Sequence, residues 1–210
     1  YGGVPEDEYV QWWDHVQSNV AHVIDPNASF FVNIKPNVVD GQRVLYVFDL
    51  VLSMVRKHGW SLIDEFCWER SGNPGRWNNR FKNGFEPVYQ FAQMTEIFFD
   101  PYAVAINSSG SVEGRGNVNT GNYYNMQHGM EWEQALPSNR VPHFGSAEAV
   151  GHPAGFPAGL PAFFMKSFSK PDSVWLDPFA GGGTVAISAD QTGRTAMLIE
   201  IDPRYVAITL

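Results

Sequence analysis

The stretch from Trp175 to Val206, WLDPFAGGGTVAISADQTGRTAMLIEIDPRYV, constrains the fold more than any other part of the chain. It reads as a short apolar strand, a turn holding Gly181, Gly182 and Gly183, a helix opening at Thr184, and a second apolar strand that runs to Glu200. Two neighbouring strands joined through a helix run the same way, because only a long crossover brings the chain back to the start of a parallel partner. Such a unit needs helices over its sheet.

The remaining sequence repeats the alternation. Residues 5–24 place Tyr9, Trp12, Trp13, Val16, Val20 and Val23 at three-to-four spacing behind the acids Glu6, Asp7 and Glu8, which predicts an amphipathic helix with acids in its first turn. SFFVNI predicts a buried strand near Phe30–Ile34, and residues 44–58, apolar at 44, 45, 47, 48, 51, 52 and 55 and ending in RKHG, predict a second helix. SLIDEFCW and EPVYQFAQ read as strands around a Gly/Asn/Arg-rich loop at 70–84. After the 100–150 region, PAGFPAGLPAFFMKSF reads as a helix, and PRYVAITL begins another after the second apolar strand. The expected fold is α/β, a doubly wound and mostly parallel sheet. Between about 100 and 150 neither period holds, and NSSGSVEGRGNVNTGNYYNMQHG is expected to be a long irregular insertion.

The glycine turn lets backbone approach a ligand closely, and the amides opening the helix at Gly183 and Thr184 are expected to face it. Glycines alone would equally suit close packing of helix on strand. Asp177 at the strand tip can face a cationic amine, while Glu200, at the end of the next strand, stands where such folds place an acid for the two hydroxyls of a ribose. A ligand joining an adenosine ribose to a charged amino-acid end satisfies both acids, as S-adenosylmethionine does. A nicotinamide dinucleotide fits less well, since Ala186 holds the third glycine place of G-x-G-x-x-G. No Gly-Lys-Ser/Thr occurs for a phosphate loop. The pocket is expected at the carboxyl ends of neighbouring strands, lined by Asp177, Phe179, Gly181, Gly183, Thr184 and Glu200.

DPFAGGGT, followed by IEIDPRYVAI and preceded by GHPAGFPAGL, resembles the DNA methyltransferases that modify exocyclic amino groups of adenine or cytosine, in the β-class motif order. That resemblance implies a class I S-adenosylmethionine-dependent methyltransferase fold in three parts. Residues 1–99 would be the catalytic, substrate-binding half, 100–150 a target-recognition insertion, and 151–210 the cofactor-binding half. It also implies that S-adenosylmethionine is held by Phe156, Pro157, Asp177, Phe179, Ala180, Gly181, Gly182, Gly183, Thr184 and Glu200, with Gly182 standing where serine is common. FEPVYQFAQ resembles a further family strand. Tyr1 falls where the family's catalytic Asp/Asn/Ser-Pro-Pro-Tyr/Phe tetrapeptide ends, so the resemblance implies an N-terminally truncated chain in which Tyr1 stacks on a base swung out of double-stranded DNA. The expected activity is site-specific methylation of DNA, as in restriction-modification. The alternatives are an inactive DNA-binding relic of the same fold and a methyltransferase acting on RNA or protein.

Charge bounds the mode of DNA contact. A net charge of −8 opposes indiscriminate coating of nucleic acid, which needs many cations on phosphates. The basic patch is Arg70, Arg76, Arg80 and Lys82, interleaved with Trp77 and Phe81, and it reads either as a solvated loop or as a phosphate-contacting one. In the insertion, Arg115 and Arg140 could reach guanine or phosphate. Cys67, the one cysteine, sits in a strand without a preceding proline and reads as a small buried hydrophobe. No metal site is expected from the histidine spacing, and no run approaches the roughly 20 apolar residues of a membrane span. A cytoplasmic monomer or weak dimer is the expectation.

Overall fold

The computed structural model describes residues 4–70, 78–104, 106–107, 134–135, 138–145 and 155–209. Tyr1, Arg76, Trp77, Arg115 and most of the 100–150 insertion lie outside them. The chain forms two compact units, Tyr1–Ile97 with Asn139–His143, and Phe98–Ser138 with Phe144–Leu210.

In the first unit, helix α1 (Tyr9–Val23) buries Trp13, Gln17 and Val20, positions spaced four and three apart and therefore on one face. The acids Glu6 and Asp7 sit in the turn before it and Glu8 is its N-cap, so none of them lies in its first turn. Strand β1 (Phe30–Asn33) follows, then a hairpin of β2 (Val38–Val39) and β3 (Gln42–Arg43). Helix α2 (Tyr46–Arg56) buries Tyr46, Val47, Leu50 and Met54, while the apolar Leu45, Phe48, Leu52 and Val55 face outward. Polar groups knit the α1–α2 core: Trp60 Nε1 donates to Gln17 Oε1 at 2.7 Å, and Trp13 Nε1 meets the Met54 sulfur at 3.3 Å. Each bond satisfies a polar atom that would cost about 1–3 kcal/mol if buried alone.

Strands β4 (Ser61–Glu69) and β5 (Phe85–Ala92) pair directly and antiparallel, and β5 also runs antiparallel to β1. With β8 (Arg140–Val141) parallel to β4, the sheet order is β1-β5-β4-β8. The sheet is thus mixed, with β5 the strand antiparallel to both its neighbours. Residues 140–141 also lie apart from the expected excursion: Val141 is buried against the sheet. Two residues are too short to carry a period.

Asp14 links the two helices of this unit, accepting from Lys57 Nζ at 2.5 Å and Ser53 Oγ at 3.1 Å, with His58 Nε2 at 2.9 Å. Burial pushes its pKa up, but these three partners outweigh burial and hold it below its ordinary 3.8. A carboxylate whose folded pKa lies below its unfolded one stabilises fully above the unfolded value and loses that stabilisation as pH falls through the folded value. Urea unfolding of Asp14→Asn should therefore show lower stability than the parent at pH 6 and a flatter decline below pH about 4. Parallel curves would exclude this role.

In the second unit, a 3₁₀ turn at Pro101–Val104 is capped by Asp100, whose own amide donates to Ser167 O at 2.7 Å. An antiparallel pair, β6 (Ile106–Asn107) and β7 (Gln134–Ala135), follows. Helix α3 (Gly159–Phe168), strand β9 (Val174–Asp177), helix α4 (Thr184–Thr192), strand β10 (Thr195–Leu198) and helix α5 (Pro203–Thr209) complete it. β9 and β10 pair in parallel across α4, with Asp177 opposite Leu198, the arrangement the glycine turn required. Met165 of α3 meets Val185 and Ala189 of α4 in a buried cluster, over which Phe156, Trp175, Ala196 and Leu198 pack. Ser188 Oγ donates to Ala158 O at 2.8 Å and fixes α4 against the start of α3.

Candidate functional site

The chain leaves β9 through Asp177-Pro178 and must reverse within six residues to start α4. Two left-handed residues accomplish this, Gly181 at φ +52° and Gly183 at φ +78°. Only glycine adopts such angles freely. The Gly183 N–H closes the turn onto Ala180 O at 2.9 Å, so it does not point outward as the sequence suggested. Gly183 is the N-cap of α4 and no side chain caps that helix. The first-turn amides at Thr184 and Val185 have no acceptor within the helix, and they carry its positive dipole end.

Glu200 stands two residues beyond the end of β10 and closes the turn from the other side. Its Oε2 accepts from Gly181 N at 2.6 Å and its Oε1 from Asp202 N at 2.8 Å. The Asp202 amide is the larger influence holding the Glu200 carboxyl below its ordinary value; burial opposes it, and the Gly181 and Ile201 amides add to it. A carboxylate has about four lone-pair positions, so capacity for hydroxyl donors remains beyond these amides. Ala180 N donates to Ile199 O at 3.0 Å and Ile199 N to Asp177 O at 2.9 Å, which extends the parallel pairing to the turn.

Asp177 is partly buried at the tip of β9. Burial pushes its pKa above 3.8 and the Glu200 charge adds to this, while the Phe179 amide, donating to Asp177 Oδ1 at 2.9 Å, works against both. The two acids thus differ: Glu200 is held ionised by backbone donors, and Asp177 is a carboxylate that gains from a cationic neighbour.

The structure brings Asp177, Phe179, Ala180, Gly181, Gly183, Thr184 and Glu200 together within the second unit. Phe156 packs on the Met165 cluster, and Pro157, buried, carries the carbonyl that accepts from Leu160 N at 3.0 Å. Sequence reasoning missed two residues. Asp202 caps α5, accepting from Arg204 N at 2.9 Å, and its pairing with Arg204 lowers its pKa to about 2. Pro203 in the first helical position is the sequence signal for that cap. Thr209 reaches back to the turn: a β-carbon at Gly183 would lie 2.6 Å from its Cγ2, and its Oγ1 is 3.5 Å from Gly181 O.

The basic residues do not form one uniform patch. Arg70 lies over the Trp68 ring at 4.5 Å and 3.7 Å from Glu86, and Arg140 pairs with Glu69. Arg80 is partly buried and Lys82 is exposed. Cys67 is half-buried in β4 and not sealed in the core as expected. A groove of about 520 Å³ in the first unit, lined by Glu6, Asp7, Val10, Tyr46 and Asp49 among others, is acidic and holds none of the motif residues. Among the described residues no helix is long and apolar enough to cross a membrane, and no group of three acids, histidines or cysteines is placed to hold a metal.

The type II methyltransferase M.PvuII of Proteus hauseri is 24% identical over 99% of this chain and 71% of its own length. M.BglII of Bacillus subtilis is 23% identical over 97% of the chain, which spans little more than half of that relative, 56%. The solved PvuII DNA methyltransferase, described as cytosine-N4-specific, superposes with a TM-score of 0.77 at 24% identity, covering 100% of this chain and 72% of that one. TTHA0409 of Thermus thermophilus, solved in complex with S-adenosyl-L-methionine, gives 0.61 at 19% identity over 97% of this chain and 75% of its own. These likenesses establish the class I methyltransferase fold. The family profile described as DNA methylase matches residues 4–210, and the chain belongs to this family of S-adenosylmethionine-dependent enzymes that methylate exocyclic amino groups of DNA.

Proposed function

We propose that the turn from Asp177 to Thr184, closed by Glu200, is the S-adenosylmethionine site of a site-specific methyltransferase acting on adenine or cytosine amino groups in double-stranded DNA. The observation that carries this reading is the bond from Gly181 N to Glu200 Oε2, which holds the ribose-binding acid beside the backbone that faces the ligand. Glu200 uses its remaining lone pairs for the two ribose hydroxyls. Asp177 holds the ammonium of the amino-acid end, and the dipole of α4 favours the carboxylate there. Phe179 and Phe156 supply apolar walls beside the turn. The cofactor, when bound, supplies an electrophilic methyl group.

Residues 1–99 would hold the base, with Tyr1 stacking on it after it leaves the duplex, and 100–150 would choose the sequence. Residues 151–210 form the cofactor half in this division. The protein would act on DNA inside the cell as a monomer or weak dimer. Phosphate contact falls to Lys82 and Arg76 in preference both to Arg70, which already serves Glu86 and Trp68, and to Arg80, whose guanidinium Nε and Nη1 are buried. Arg115 and Arg140 remain the recognition arginines of this reading.

Labelled methyl transfer from S-adenosylmethionine to duplex DNA, followed by nucleoside digestion, tests the proposal directly. N4-methylcytosine is the first product to seek, given the specificity described for PvuII, with N6-methyladenine the other. Cofactor binding without methylation of any duplex, or methylation of RNA or protein alone, would overturn it.

The Asp177 assignment also predicts a pH dependence. Its folded pKa lies above 3.8, so protonating it favours the folded chain and does not unfold the protein through this group. Affinity for S-adenosylmethionine should therefore fall as pH drops through a window above 3.8 in which the fold persists. Calorimetry of the parent and Asp177→Asn from pH 7 to 4.5 checks this. The variant should bind more weakly at pH 7 with a flatter profile, and equal slopes would remove Asp177 from the ligand.

A further inference from the structure

Phe81 is 96% exposed, an unusual position for the ring of a phenylalanine in a chain with a full core. The arch that presents it is pinned at both ends. On one side Asn79 Nδ2 donates to Gly41 O at 3.0 Å, and on the other Arg43 Nη2 donates to Asn83 Oδ1 at 2.6 Å. Both anchors reach the same β2–β3 hairpin, whose turn residues Asp40 and Gly41 have positive φ, as a tight two-residue hairpin requires. The base of the arch is closed by Arg70 N donating to Gly84 O at 2.9 Å. A ring held out on such a support is pre-organised for a partner.

The surroundings indicate which partner. Exposed Lys82 follows the ring, exposed Arg43 lies in the supporting hairpin, and Asp40 is the one acid of that hairpin; the Nε and Nη1 of Arg80, before the ring, are buried. This is a cationic rim around an apolar tip, in a chain whose net charge is −8. A protein partner of ordinary composition has no need of that combination, whereas a duplex supplies phosphates on either side of an apolar base stack. Apolar side chains enter between base steps in this way and offset the cost of unstacking by new contacts.

Resting on the DNA-methylase reading above, we infer that Phe81 is a wedge that inserts between base steps of the bound duplex, with Lys82 on an adjoining phosphate. It is distinct from the cofactor turn and from Tyr1. The insertion holds open the stack from which the target base leaves.

The test measures affinity of the full chain for duplex DNA carrying 2-aminopurine, across a salt series, with Phe81→Ala, Phe81→Trp and Lys82→Ala. Phe81→Ala should weaken binding roughly 5- to 150-fold, the range of one base–aromatic stack. It should leave the salt slope unchanged and abolish the 2-aminopurine brightening seen with the parent. Phe81→Trp should restore both, and Lys82→Ala should make the slope shallower by about one unit. Melting temperature and S-adenosylmethionine affinity should stay at parent values in Phe81→Ala. Parent-like affinity and brightening in that variant would overturn the wedge while leaving the methylase reading intact. A fall in its melting temperature that accounts for the lost binding would also overturn it. A parent that binds S-adenosylmethionine but no duplex at all would overturn the reading and the wedge together.

Discussion

Replacing Gly183 with alanine should destabilise the protein by about 1–3 kcal/mol and weaken its hold on S-adenosylmethionine. Two costs combine at this position. A side chain at φ +78° is strained, and its Cβ would sit 2.6 Å from Thr209 Cγ2 and 2.9 Å from Thr209 Oγ1. Thr209 is short and β-branched, so it has no flexible end to yield, and either α5 or the turn must move. Gly193 provides the control, because it has φ +68° with nothing within 4 Å of an added Cβ. Gly193→Ala should therefore show only the conformational cost. Denaturant unfolding of both variants, and of Gly183→Ala combined with Thr209→Ala, separates the two. The second change should recover part of the loss at Gly183, and equal losses at both glycines would show that Thr209 does not confine the turn.

Met165→Ala should be the more damaging core change, costing about 2–5 kcal/mol. Met165 is fully buried where α3 meets α4, against Val185 and Ala189, and Thr192 Oγ1 approaches its sulfur at 3.6 Å. Truncation leaves a cavity beneath the helix whose first residue, Thr184, ends the glycine turn. The loss should thus reach the ligand: S-adenosylmethionine affinity falls with stability. Met165→Leu keeps the volume and should cost less than about 1.5 kcal/mol. Urea unfolding of the pair, with calorimetry on each, checks both statements. A large affinity loss in the leucine variant would show that the thioether, and not the packing, matters.

The parts of this fold legible in the sequence were those with a long period or an unmistakable turn. The α1 stripe and the strand–glycine–helix–strand run are each carried by neighbouring residues, so local pattern sufficed. Pairing direction is not local. Nothing in EPVYQFAQ distinguishes a strand antiparallel to both neighbours from a parallel one, and β5 was therefore read as part of a mostly parallel sheet. The two-residue strands β2, β3 and β8 are shorter than one period and carry no signal. At the site, residue types and their order pointed to Asp177 and Glu200, whereas the hydrogen-bond partners depended on approach in space. The Gly181 amide meets a carboxylate nineteen positions away, and Thr209 comes over Gly183 only once α5 has docked.

Strand β8 has one more consequence. It returns the chain to the sheet that β5 left, on the far side of β4, so the two ends of the 93–139 connection are held by one sheet. The entropy of closing such a loop grows only with the logarithm of its length, about 0.6 kcal/mol for each doubling. Length changes outside the 100–104 segment, which is held to Ser167, therefore add little to the entropy of closing the connection. The pairing of β8 with β4 can thus hold the two ends of this connection together across a range of connection lengths at little entropic cost.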